Sequence, residues 1–259
     1  MQDKYVGDVG DFGKYGLLNE ICKKSKGDIR LGINWFYVDV EGGGEQRGDG
    51  RYISYLTDEN KDSKKYAACF PELYEKLKDI VDGRRRHIKE IEKGLILPKE
   101  TIFYSTALPC PSVNLSKREE ERKNWFKESL SQLKSADIIF LDPDNGIQTD
   151  TVRKTHKNAF KYVFKDEIKE YYELGKSLII YNHRDRKPKS AYDRKITNSV
   201  GQIGSPDGIK VLRFKRFSVR DFIFLIQKEH RHLIDQTIDY LTSEPCDFLF
   251  EVYNLGWEK

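Results

Sequence analysis

The segment Ala136-Asp137-Ile138-Ile139-Phe140-Leu141-Asp142-Pro143-Asp144-Asn145-Gly146 constrains the fold of this chain more than any other stretch. Its apolar part, Asp137 to Leu141, reads as a strand buried on both faces, which is how strands of a parallel sheet covered by helices read. Helical patterns flank it, at about Ser116 to Leu133 and at Lys165 to Leu174, with a further apolar run, Ser177 to Tyr181, behind them. Strands alternating with helices predict an α/β fold, Rossmann-like, with a mainly parallel sheet.

Upstream, Tyr5 to Leu18 is dense in glycine and then apolar at helical spacing, which predicts a loop feeding a helix. Arg30 to Val40 is aromatic and β-branched and predicts a strand running into the glycine loop Glu41 to Gly50. Thr101 to Ser105 predicts a second strand. Between them, a charged stretch carries Leu73, Leu77, Ile80 and Val81 on one helical face, so residues 58–98 read as a helical insertion within a single domain spanning 1–259. The stretch after Asp142 reads as polar and helix-like. At the other end, Lys210 to Phe214, Asp221 to Ile226 and Phe248 to Val252 predict strands with antiparallel pairing, and a helix is expected from about His230 to Leu241.

Composition narrows the setting. No apolar run approaches a bilayer span and the first residues are polar, so a cytoplasmic chain with no membrane contact is expected. The four cysteines are scattered without a Cys-x-x-Cys pair, and reduced thiols are expected. A formal net charge of +4 hides basic clusters at Arg84 to His87, Arg184 to Lys189 and Lys210 to Arg220. Each is either phosphate-binding surface or a solvated face.

In open α/β sheets ligands bind at the carboxyl ends of the strands, which gathers the candidate residues. Asp142, Asp144 and Asn145 form either a functional loop stiffened by Pro143 or a turn. His183, ending the next strand, is a candidate general base or metal ligand. Asp8, Asp11 and Lys14 form a glycine-flanked charged group, with Asp11 read as a helix cap and Lys14 as a residue for a phosphate or carboxylate.

The pieces YVGDVGDFGKYGLL, LGINWFYV followed by DGRYISYL, IFLDPDNGI and LIIYNHRDR together resemble an uncharacterised bacterial protein family across most of the chain. More remotely, their order resembles class I S-adenosylmethionine-dependent methyltransferases, especially the ribosomal RNA adenine-N6 enzymes and the three-Cys-motif partner proteins. The resemblance puts Asp39, Gly42, Gly43, Gly44 and Asp49 in the S-adenosylmethionine loop, and matches Asp142-Pro143 to the first half of an Asp-Pro-Pro-Tyr motif that holds the substrate amine. Asp144-Asn145 replaces the second half, so the aromatic that stacks on a flipped base is absent there. It implies methyl transfer to nucleic acid, with Lys14, Arg184, Arg186 and Arg216 as substrate contacts. The residues themselves leave two alternatives open. One is a Mg²⁺-dependent nuclease or phosphoesterase in which Asp142 and Asp144 bind the metal. The other is a non-catalytic nucleic-acid-binding protein of the same fold.

Overall fold

The computed structural model describes residues 1–39, 50, 52–109, 114–184, 187–204 and 206–256. Three predicted strands lie where the apolar runs put them, namely β1 (Leu31–Asn34), β2 (Ile102–Tyr104) and β3 (Ile138–Leu141). The helices α1 (Val9–Ser25), α2 (Ser63–Cys69), α3 (Pro71–Asp82), α4 (Ile88–Glu90) and α5 (Leu115–Gln132) are interleaved with them. Beyond β3 come the two-residue strands β4 (Gly146–Ile147) and β5 (Tyr162–Val163), then α6 (Lys165–Glu173), β6 (Ser177–His183) and α7 (Lys189–Gly201). The chain closes with β7 (Gly208–Phe214), β8 (Arg220–Ile226), α8 (Arg231–Leu241) and β9 (Phe250–Val252).

The main sheet has seven strands in the order β2-β1-β3-β6-β8-β7-β9. The pairs β2–β1, β1–β3 and β3–β6 are parallel, while β8 runs antiparallel to both β6 and β7, and β9 antiparallel to β7. This mixed α/β sheet is compatible with a Rossmann-like fold.

Side chains alternate across a strand, so each central strand feeds two cores. Ile138, Phe140, Ile179, Phe222 and Phe224 face α1, α3 and α8, where they meet Phe12, Leu17, Leu77 and Ile238. Their neighbours Ile139, Leu141, Ile180, Ile223 and Leu225 face α5, α6 and α7 through Phe126, Ile168 and Ile196. The sheet is therefore the middle of three layers. Helix α1 is buried on nearly every side, and this fits its sequence: a Cβ at Gly16 would lie 2.0 Å from the Phe70 ring, so only glycine lets α1 approach that close.

Four expectations need correction. The first strand stops at Asn34 instead of continuing to Val40, because the Asn34 side chain accepts from the Phe36 amide at 3.0 Å and Phe36 adopts a left-handed φ of 47°. The segment after Asp142 holds no α-helix before α6: β4 and β5 pair there as a small parallel sheet, with one 3-10 turn at Ala159–Lys161 between them. Cys69 and Cys246 are not free thiols but are joined as a disulfide, with Cα atoms 5.0 Å apart across 177 residues of sequence. Helix α7 was not anticipated; its buried apolar residues, Tyr192, Ile196 and Val200, recur every fourth position within an otherwise polar stretch.

Residues 58–98 do carry helices, and Leu73, Leu77 and Ile80 join the same core as α1. Among the described residues, no helix is long and apolar enough to cross a membrane.

Candidate functional site

Helix α1 points its amino end at the carboxyl ends of β3 and β6, and its first turn supplies the heart of the site. The N-cap is Asp8, whose side chain accepts from the Asp11 amide at 3.0 Å, and not Asp11 as the sequence suggested. Freed from capping, Asp11 is fully buried, with Oδ2 accepting from the Tyr15 hydroxyl at 3.0 Å and Oδ1 lying 2.9 Å from Lys14 Nζ. One turn of helix puts Lys14 beside it. From there Lys14 Nζ also reaches Asp142 Oδ2 at 2.9 Å and sits 4.5 Å above the Tyr181 ring. A buried lysine is thus clamped between two buried carboxylates.

Burial drives the titration of this group. Desolvation pushes the Asp11 carboxyl up to about 7 against the opposing charge of Lys14, with Asp8 and Asp142 adding to the rise. Asp8 is raised as well, chiefly by burial. Lys14 is held well above its ordinary value, because Asp11 and Asp142 outweigh its own desolvation.

At the end of β3 the Asp142 amide continues the β1 ladder, donating to Asn34 O at 3.0 Å. Its carbonyl is occupied too. The Met1 nitrogen donates to Trp35 O at 2.9 Å, Phe36 O at 3.1 Å and Asp142 O at 3.2 Å, so Met1 fills the crevice between β1 and β3. Because β1 leads to β2 on one side and β3 lies on the other, this crevice is the switch point of the sheet. Asp144 Oδ2 accepts from the Gln2 side chain at 3.2 Å, and Oδ1 lies 3.5 Å from the Met1 nitrogen.

One strand over, a cavity of about 240 Å³ is lined by Asp8, Asp11, Lys14, Asp142, Asp144, His183, Arg216 and Arg220, with Tyr52 and Tyr181. His183 faces Arg220 across the antiparallel β6–β8 pair. Burial, then the positive charges of Arg220 and Lys14, lower its pKa to about 2, so it is a neutral imidazole and not a base poised near neutral pH. The Nε atoms of Arg216 and Arg220 are buried and have no hydrogen-bond partner among the described residues. A larger cavity, about 730 Å³, opens at the amino ends of β1 and β2 and shares no lining residue with this one.

The structure therefore brings Lys14, Asp142, Asp144, His183 and Arg216 together. Asn145 does not line the cavity; its backbone instead ties the loop down, donating to Lys161 O at 2.8 Å and accepting from the His183 amide at 3.4 Å. Arg184 turns away to lie 4.3 Å over the Tyr192 ring. Asp39 is exposed and lines no part of the cavity. Gly42, Gly43, Gly44, Asp49 and Arg186 lie outside the described residues. Sequence reasoning did not put Tyr52, Tyr181 or Arg220 in the site, and it gave Asp11 the wrong role. The three-residue spacing of Asp11 and Lys14 was the available signal for that pair.

Of the implied cofactors, S-adenosylmethionine would be held by loop residues that lie outside the described ones, Gly42, Gly43, Gly44 and Asp49. Among the described residues, no group of three or more His, Cys, Asp or Glu could hold a metal ion, and Asp142 and Asp144 are already engaged by Lys14 and Gln2.

The sign of the His183 shift gives a test. A lowered folded pKa means that the unfolded chain takes up a proton first, so its stability contribution is complete above pH 6.5 and is lost as pH falls toward 2. His183→Gln should remove that slope, which is roughly 1.4 kcal/mol per pH unit below 6.5. Urea denaturation of both proteins at pH 7 and 4.5 measures it, and equal acid-side losses would show that the imidazole is not buried as described.

Comparison with known proteins finds no matching family model and no curated relative.

Proposed function

We propose that this chain is an enzyme acting on the phosphodiester groups of nucleic acid, with the cavity between α1, β3, β6 and β8 as its reacting centre. One observation carries the reading: the Asp11–Lys14–Asp142 clamp shares a cavity with Arg216 and Arg220, whose buried Nε atoms lack partners. Guanidinium groups lining a cleft are suited to phosphate oxygens. Asp11, titrating at about 7, is the carboxylate whose proton can move near neutral pH. In this reading Asp11 takes a proton from water as the water attacks phosphorus. The bond from phosphorus to the leaving oxygen breaks, and solvent protonates the departing alkoxide. Lys14 and the two arginines balance the charge that builds on the phosphoryl oxygens. No step is routed through a metal ion.

The test is incubation with labelled DNA and RNA across pH 5.5 to 8.5. Cleavage should rise through pH 7 as Asp11 loses its proton. Asp11→Asn should slow it about 100-fold or more, the usual scale for losing a general base. No cleavage of either polymer, or full activity in Asp11→Asn, removes this reading.

A second reading, methyl transfer, is favoured by a different observation. Strand β8 lies antiparallel between β6 and β7, and this fits the antiparallel hairpin of the methyltransferase sheet, while Asp142-Pro143 ends a central strand. It requires Lys14 to leave Asp142. Calorimetric titration with S-adenosylmethionine decides it, and absence of heat at millimolar ligand discards it.

A further inference from the structure

The rim of the same cavity carries an aromatic pair whose presence there nothing in the core explains. Tyr52 and Phe217 are both exposed, at 39% and 53%, yet their rings lie 4.8 Å apart, tilted by 38°. Large apolar side chains in water are ordinary singly, but a paired set at the mouth of a charged cleft is informative. Phe217 also adopts a φ of 58°, in the left-handed region that a bulky residue enters only at a cost. Its ring packs against Tyr52, which lines the cavity and is anchored through its carbonyl by the Val9 amide at 3.0 Å. On either side of Phe217 in sequence stand Arg216 and Ser218, both cavity-lining.

We infer that the Tyr52–Phe217 pair is a stacking platform for an unpaired base, so that the site takes single-stranded or unstacked nucleic acid. The inference rests on the phosphate-binding reading above and adds to it the state of the substrate. Aromatic rings accept any base because every base has a π-face, and a groove that pairs such rings with cations binds single strands. In a duplex both faces of an interior base are already covered by its neighbours. The platform thus selects against duplex and carries no preference for a particular base.

Fluorescence anisotropy separates the two claims. The probes are a labelled single-stranded oligodeoxynucleotide, an abasic oligomer of the same length and a duplex. The wild-type protein should bind the base-bearing single strand about tenfold or more tighter than the abasic one, given the usual contribution of one stacked base, and tighter than the duplex. Phe217→Gly relieves the left-handed strain, so the variant keeps its fold, and it should bring single-strand affinity down toward the abasic level; Tyr52→Leu should do the same. Equal affinity for abasic and base-bearing strands, duplex binding as tight as single-strand binding, or unchanged affinity in Phe217→Gly overturns the platform while leaving phosphate recognition standing. Binding of none of the three probes overturns both.

Discussion

Lys14→Met should lower the stability of the protein by about 3–5 kcal/mol near neutral pH, the usual scale for removing one partner of a buried ion pair. Methionine keeps most of the side-chain volume, so the loss reads charge and not packing. The cause is specific. Lys14 is the cation within 2.9 Å of both Asp11 and Asp142, and without it two buried carboxylates face each other with Asp8 close by. The same arrangement fixes how the defect responds to pH. Carboxyls whose folded pKa is raised contribute stability that is present at low pH and is lost as pH rises through the folded value. Acidification lets Asp11 and Asp8 take up protons, so the variant should recover much of the difference between pH 7.5 and pH 5. Urea midpoints at those two values measure it. A variant as stable as wild type, or one equally weakened at both values, would mean that Lys14 does not neutralise a buried acidic cluster.

Gly146→Ala should be comparably damaging, by about 3–5 kcal/mol when backbone strain and overpacking are added. Gly146 has a φ of +96°, and a Cβ there would lie 2.0 Å from Asn182 Oδ1 and 2.7 Å from Asn182 Cα. Because the second of these is backbone, the clash cannot be relieved by a rotamer change. Asn182 is also the keystone of a buried polar chain. Its Oδ1 accepts from the Ile147 amide at 3.0 Å and its Nδ2 donates to the Tyr192 hydroxyl at 2.9 Å, which in turn donates to Asp221 Oδ2 at 2.6 Å. Asp221 is fully buried and held by Arg213 at 2.8 Å and 2.9 Å. Displacing Asn182 leaves several of these groups unpaired. Thermal denaturation of the variant is the measurement, and a melting temperature within a few degrees of wild type would show that the loop can yield.

The runs that named β3, β6 and α5 were legible because burial on two faces, or exposure on one, is written in consecutive residues. Ile138 to Leu141 is apolar throughout, and all four residues are buried. What stayed hidden depends on distant partners. Arg220 is an ordinary basic residue until the antiparallel register sets it opposite His183. Nothing near Cys69 in sequence announces Cys246, and the early end of β1 follows from one side-chain hydrogen bond at Asn34. The site divides in the same way. Asp142, Asp144 and His183 were visible because they follow strands, and Lys14 because glycines isolate it. The exchange of roles between Asp8 and Asp11 was not, since either acid can cap a helix and only the packed structure shows which one is buried against lysine.

The antiparallel setting of β8 has one more consequence. A parallel strand would bring its carboxyl end to the face that holds the cavity, but here the tip of a hairpin arrives there instead, the five residues between Phe214 and Arg220. Those residues bring Arg216 and Ser218 into the lining of the cleft and Phe217 against Tyr52, while β7 and β8 on either side are locked in the sheet. A hairpin tip tolerates changes of length and composition that a strand end joined to a crossover helix does not. In this molecule the clamp of acids and lysine is fixed in the core, and the tip that lines the cleft is an exchangeable module, open to substitution without disturbing the frame that carries it.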